Sequence, residues 1–204
     1  MKSILGKYFT LEQIKAKHFG NASIVPIINM NLNESIFEYF SVLYKLSPDI
    51  KTFLPKLDLS TPKETASVLT QYGLSTHMGL QIPYVMCHKG KPIGFIIVNT
   101  PDYNQITVNF PHWTVDCCVF VPFAGCGYMS SFTPHLMAML KHNFNIDEFY
   151  TIVDQNNHKC ISLLSKFPFD EWCDDGGKRF ADFETGNYAR IFCCKLSTIN
   201  FVKQ

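Results

Sequence analysis

Apolar residues follow two rhythms along this chain. Short, nearly unbroken apolar runs at 24–28, 82–88, 93–99, 115–121, 149–153 and 188–196 predict buried strands. Elsewhere apolar residues recur every three or four positions. Ile36, Phe37, Phe40, Leu43 and Tyr44 predict a helix, opened by a capping-box-like Asn31 and Glu34 and stopped by Ser47-Pro48. Thr61-Pro62-Lys63-Glu64 opens a second helix, expected to run to Tyr72 with Gly73 as its C-terminal cap. Residues 1–20 predict a helical lead-in with Leu11 and Ile14 on one face, and 50–59 predicts irregular, amphipathic chain. Pro26 places the first strand near an edge or a bulge. Lys89-Gly90-Lys91-Pro92 predicts a hairpin turn, and 105–110 a further short strand.

After the 115–121 run comes a glycine loop, Phe123-Ala124-Gly125-Cys126-Gly127, and a helix from about Tyr128 to Phe144. Pro134 should kink that helix or move its regular part to begin near Thr133. The 149–153 strand leads to an Asn-rich turn at 155–157 and a short helix ending at Lys166-Phe167-Pro168-Phe169. Asp174-Asp175-Gly176-Gly177-Lys178 predicts a turn before the final strand. The order is strand, two helices, mostly antiparallel strands, then strand–helix–strand–helix and closing strands, which is an α+β pattern. The hairpins in the middle contradict Rossmann alternation. With no repeat, linker or low-complexity run, one domain is expected over 1–204, with a lead-in at 1–23 and a core at 24–196.

Composition narrows the function. The chain is 47% hydrophobic and 17% charged, which predicts a packed core. Its 18 basic and 17 acidic residues nearly cancel, against the basic patch of a nucleic-acid binder. Low charge beside 18 Phe predicts some apolar surface, for which a homodimer interface is one outlet. The eight cysteines include no C-x-x-C pair and are expected to be small core residues in a reducing compartment. His158-x-Cys160, His135 and His142 form no zinc pattern, so no metal site is expected. No secretory leader and no run long enough to span a membrane is evident, and a cytoplasmic location is expected.

The glycine loop carries the chemistry. A loop that leaves a buried strand and enters a helix presents backbone N–H groups without helical partners, and the helix dipole adds positive potential. Such a site holds a phosphate without a basic side chain. Gly-x-Gly alone is also an ordinary tight turn, and the P-loop pattern is absent.

Three segments in order give the loop a context. Val119-Phe120-Val121-Pro122-Phe123-Ala124-Gly125-Cys126-Gly127-Tyr128-Met129 matches the signature Q/R-x-x-G-x-G/A in both glycines. The stretch from Asn157 to Phe169 matches N-x-x-S-I…L-x-K-x-G-F, and Lys89-Gly90-Lys91-Pro92-Ile93-Gly94 matches the x-G-x-x-I-G hairpin before it. The chain resembles the GCN5-related N-acetyltransferase (GNAT) family, in particular its branch of ribosomal-protein alanine acetyltransferases. It departs from the pattern at Pro122 for Q/R, Cys160 for serine, Pro168 for glycine, and Leu164 where many members carry a Tyr acid.

The resemblance implies a mostly antiparallel twisted sheet flanked by helices, with a splayed central strand pair. It implies acetyl-CoA as cosubstrate and no metal. The pyrophosphate would sit on the amides of Phe123, Ala124, Gly125, Cys126, Gly127 and Tyr128. The pantetheine arm would run between the 115–121 and 149–153 strands, paired with Val119 and Val121 and held by Asn157. An N–H near Val119 or Phe120 would polarise the thioester. Ser130 and Ser131 would add hydroxyls or serve as caps. The acetyl group would pass directly to a primary amine, on a small molecule or a protein N-terminus.

Cys160 or Ser162, or else water, would stand in for the missing acid. Asp116, an acid within an apolar strand, is the candidate base, or else a structural carboxylate. The acceptor would be framed by the helices at 33–46 and 61–72 and by 101–113, with His77, His88 and His112 as further candidates. Two other readings predict different behaviour. A degenerate member would bind CoA without transfer, and a plain interaction domain would bind no cofactor.

Overall fold

β3 (Gln81–His88) and β4 (Lys91–Asn99) form the hairpin at the centre of the sheet, and every residue of β4 after Lys91 is buried. The computed structural model describes residues 7–172, 180–181 and 188–199. The strands on either side are β1 (Lys17–Phe19), β2 (Ala22–Pro26), β5 (Thr114–Val119), β6 (Glu148–Asp154), β7 (Phe169–Trp172), β8 (Phe180–Ala181) and β9 (Tyr188–Lys195). The sheet order is β1-β2-β3-β4-β5-β6-β9-β7, with β8 also on β9. All pairs are antiparallel except β5 and β6.

Helices cover both faces. On one side α1 (Glu34–Lys45), α2 (Pro48–Phe53) and α3 (Pro62–His77) bury Phe40, Leu43, Ile50 and Leu69 against Val85, Phe95 and Phe120. On the other, α5 (Tyr128–Phe144) lays Phe132, Leu136, Leu140 and Phe144 on Ile82, Tyr84, Ile96 and Val98. The residues of β3 and β4 divide between the two faces as the period of two requires. α4 (Pro101–Val108) links β4 to β5, and α6 (His158–Leu164) follows β6. This is the expected mixed, mostly antiparallel α+β sheet.

β5 and β6 meet at a single pair, Thr114 with Tyr150, where the Tyr150 N–H reaches the Trp113 carbonyl at 2.8 Å. Beyond it the strands diverge, as expected for the splayed pair. The crossover between them is α5.

Several expectations are corrected. The described part of the lead-in is not helical but a 3-10 turn at Leu11–Gln13 followed by β1. The predicted strand at 105–110 is α4. Its alternating Ile106 and Val108 misled, whereas Thr100 caps it from the Tyr103 N–H and Pro101 occupies its first turn. Ser47-Pro48 stops α1 but also starts α2, so 50–59 is not wholly irregular. The cap of α1 is Asn33, which accepts the Ile36 N–H at 3.1 Å. α3 runs through Gly73 to His77, and α5 starts at Tyr128 with Pro134 inside it rather than near Thr133. The first strand ends at Pro26, where β1 no longer flanks it, so the proline does sit at an open edge. β7 begins at Phe169, directly after Pro168, and was not anticipated. The predicted turn at 174–178 lies outside the described residues.

Candidate functional site

The divergence of β5 from β6 opens a cleft of about 700 Å³. Cys117, Cys118 and Val119 of β5 form its floor, and Val121, Phe123 to Gly125 and Gly127 to Ser130 form one wall. Asn157, Cys160, Ser162 and Leu163 of the α6 region form the opposite wall, and Asp49, Phe53 and Leu54 stand at the side. Of the residues predicted to hold the cosubstrate, Val119, Val121, Phe123, Ala124, Gly125, Gly127, Tyr128 and Asn157 line this cleft, and Cys126 does not.

The loop geometry explains both glycines. Gly125 and Gly127 have φ of +76° and +79°, the left-handed region that a side chain disfavours. The first helical bond of α5 runs from the Ser131 N–H to the Gly127 carbonyl at 3.0 Å, so the amides of Tyr128, Met129 and Ser130 have no intrahelical acceptor. These amides and the dipole of a helix of 17 residues converge on the cleft wall. Lys159 and Lys166 add positive charge, and Lys159 pairs with Asp49 across the mouth at 3.1 Å.

Backbone bonding shifts the expected set of amides. Val121–Phe123 is a 3-10 turn, not the end of the strand. The Phe123 N–H is donated to Phe120 and that of Ala124 to Val121, at 2.9 and 3.0 Å. The Val121 N–H goes to Ser47 Oγ at 2.8 Å, and the Phe120 N–H to the Ile93 carbonyl at 3.0 Å. Antiparallel alternation then directs the main-chain groups of Cys117 and Val119 away from β4, into the gap that β6 leaves. Cys117 was not among the predicted residues, although strand parity with Val119 would have found it.

Asn157 caps α6, its Oδ1 accepting the Cys160 N–H at 3.1 Å. Burial, followed by the charge of Asp116, pushes the Cys160 thiol up to about 11. Burial also raises Cys117, well above the ordinary thiol range. Leu164 is buried in a cluster with Val153 and Phe192 and does not reach the cleft.

Asp116 is not in this cleft. Together with Thr114 it lines a second, smaller cavity of about 130 Å³, with Gln81, Asn99, Asn104, Tyr72, Tyr103 and Lys56. Phe53 and Leu54 line both spaces, so the cleft and the cavity adjoin at the end of α2. Cys160 nevertheless feels the charge of Asp116. The structure therefore separates the three predicted catalytic residues: Cys160 and Ser162 on the cleft, Asp116 on the cavity beside it. Gln81, Asn99, Thr114 and Asn104 were missed. Asn99 closes an apolar run, and that isolated polar residue was the available signal. Of the histidines suggested for an acceptor site, none of His77, His88 and His112 lines the second cavity.

Solved structures share this architecture. A ribosomal-protein-S5-alanine acetyltransferase from Vibrio fischeri matches with a TM-score of 0.68 at 14% identity, over 90% of this chain and 97% of that one. RimJ from Mycobacterium smegmatis, solved with a CoA disulfide, matches at 0.67 and 9% identity over 85% and 81%. A Salmonella typhimurium acetyl transferase that modifies the N-terminal serine of ribosomal protein L7/L12 matches at 0.67 and 14% over 87% and 96%. These are GCN5-related N-acetyltransferases, and this chain has the GNAT fold, including that of the ribosomal-protein acetyltransferases. No family model matches the sequence, and no curated protein matches it. Among the described residues no helix is long and apolar enough to cross a membrane, and no group of three or more potential ligands could hold a metal.

Proposed function

We propose that this protein is an N-acetyltransferase that moves an acetyl group from acetyl-CoA to a primary amine by direct transfer. One observation carries the reading. The cleft joins a left-handed glycine loop with three outward amides to an open strand edge, and it adjoins a separate cavity that holds a carboxylate. A diphosphate fits the first part, an extended amide-bearing arm the second, and an amine the third. The fold neighbours support the donor, since RimJ was solved with a CoA species. They also indicate the kind of acceptor, since one neighbour modifies the N-terminal serine of a ribosomal protein, one is a ribosomal-protein-S5-alanine acetyltransferase and one a spermidine N-acetyltransferase chimera.

Acetyl-CoA supplies an activated acyl thioester. The amides from Gly125 to Ser130 bind its diphosphate, with Cys126 contributing only its backbone. Cys117 and Val119 offer main-chain groups to the arm, and the Val119 N–H is placed to polarise the thioester carbonyl. Asn157 keeps its side-chain N–H groups for the same arm while capping α6. The neutral amine nitrogen forms the new bond to the acyl carbon, the carbon–sulfur bond breaks, and the nitrogen gives up a proton to solvent, from which Cys160 is reloaded after each transfer. Cys160, neutral up to about 11, is positioned to return a proton to the departing thiolate, with Ser162 next in line on the same wall. A reducing compartment fits the cysteines, which are free among the described residues.

The test is the thermal midpoint with and without acetyl-CoA, followed by an amine panel. At 100 times its Kd a ligand stabilises by about 2.7 kcal/mol, which is a rise of about 5–10 °C for a chain of this size. Gly125→Glu adds a side chain and a negative charge to the loop and should abolish the rise. A rise without acetylation of any amine would replace the enzyme reading with CoA binding alone. No rise at millimolar acetyl-CoA would remove the donor site altogether.

A further inference from the structure

The mouth of the cleft carries a more specific inference, which rests on the reading of the cleft as the donor site. Among the described residues, the charged side chains that line it are Asp49, Lys159 and Lys166. Asp49 is thus the single carboxylate on a surface that otherwise collects positive potential, from the two lysines and from the amides of Tyr128, Met129 and Ser130. A carboxylate in that place repels a polyanion. It is also the group that Lys159 holds, Nζ to Oδ2 at 3.1 Å.

The backbone on each side of this pair is fixed, and the side chains are open. Asp49 lies in the first turn of α2, just after Ser47, whose Oγ accepts the Val121 N–H. Lys159 lies in the first turn of α6, which Asn157 caps. A helix N-terminus favours an anion over a cation, and the first turn of α6 holds no acidic residue, so Lys159 gains nothing from its own helix. Its side chain is 88% exposed and that of Asp49 56%. An exposed pair of this kind is weak, worth up to about fivefold in an equilibrium constant. The flexible lysine stem can turn from Asp49 to an anion in the cleft without any change of backbone.

We propose that the Asp49–Lys159 pair is a charge latch across the cleft, and that a phosphate of the donor takes Lys159 from Asp49 when it binds. In the free protein the pair joins α2 to α6 over the entrance. In the complex Lys159 holds the phosphate and Asp49 turns to solvent. The latch makes the entrance selective for charge, since a ligand must carry an anionic group to open it. No covalent bond changes and no proton moves.

The experiment is calorimetric titration of CoA, at low ionic strength, into the wild type, Asp49→Asn, Lys159→Met and the double variant. Both side chains are exposed, so the variants should fold as the wild type does. Asp49→Asn should tighten CoA binding by up to about fivefold, and Lys159→Met should weaken it by a similar factor. The two changes should be coupled. Asp49→Asn gains most with Lys159 present and less in the Lys159→Met background, where no latch remains to open. A pair that stays closed around the bound donor gives the opposite order, because Lys159 then shields the carboxylate and its removal uncovers it. A gain in the Lys159→Met background that is equal or larger therefore overturns the latch. Lys166→Met in place of Lys159→Met should leave the gain from Asp49→Asn intact; equal coupling there would reduce the effect to general charge and overturn the pairwise exchange. Binding of CoA to the wild type decides the donor reading by itself. CoA that binds with the wrong coupling removes the latch alone, and failure of CoA to bind removes both.

Discussion

Gly94 of β4 pairs with Val119 of β5 and leaves no room for a side chain. A Cβ there would lie 2.1 Å from the Cys118 carbonyl oxygen and 2.7 Å from Met86 Cε. The methionine can move, but the carbonyl belongs to the ladder that pairs Gly94 with Val119. Gly94→Ala should therefore push β5 away and destabilise the protein by about 1–3 kcal/mol, the range for overpacking a tight core. Urea unfolding would show it as a lowered midpoint at unchanged slope, and an unchanged midpoint would contradict the close approach. The sequence motif contained this glycine, yet nothing in it showed that a carbonyl from the next strand fills the space of a side chain. Strand parity, by contrast, was legible. Asp116 and Cys117 had to face opposite ways, and they do line different spaces. The bonds that occupy the amides of Val121, Phe123 and Ala124 were not legible, because they depend on a 3-10 turn and on Ser47, distant in sequence.

Helices with explicit start signals were readable: Thr61 caps α3 from the Glu64 N–H at 3.2 Å, as its motif predicts. Strands buried on both faces were readable too, since β3 and β4 are nearly continuous apolar runs. Errors came where two signals competed. In α4 the β-branched Ile106, Thr107 and Val108 favour a strand, and the Thr100-Pro101 helix start overrides them. At Ser47-Pro48 a stop was seen but not the restart. The insertion of β9 between β6 and β7 is a long-range pairing that no local pattern encodes. That joint between α1 and α2 also reaches the site. Ser47 is fully buried, and its Oγ donates to the Leu43 carbonyl at 2.8 Å while accepting the Val121 N–H. It ties the end of α1 to the loop that enters the cleft. Ser47→Ala removes both bonds and should cost about 1–2 kcal/mol. Acetyl-CoA affinity should fall as well, because the loop loses its anchor. Calorimetric titration beside urea unfolding tests both parts; lost stability with unaltered affinity would show that the tie supports the helices only.

At the scale of the whole molecule, the buried thiols set an alkaline limit. Burial is the leading cause in every case, and it pushes Cys87 and Cys160 up to about 11 and Cys118 and Cys194 up to about 12, against an ordinary value of 9.0. These cysteines lie in the sheet and the cleft wall, on both sides of the split between β5 and β6. In the unfolded chain their protons leave near the ordinary value, whereas the native protein keeps them for two units or more of pH. Above the ordinary value the native state thus binds more protons than the unfolded state, and stability falls as pH rises. The contribution is fully present below about 9 and is lost as pH climbs through the native values of about 11 to 12. The urea midpoint, measured across alkaline pH, should begin to drop near the ordinary thiol range and keep dropping beyond it. Cys118→Ala should make that decline shallower, at some cost in stability at neutral pH from lost packing. A midpoint that stays level up to about 11 would contradict the burial of these thiols. The same property bears on the proposed chemistry: with its thiol pushed up to about 11, Cys160 keeps its proton at neutral pH, so the acid proposed for the departing thiolate is loaded there.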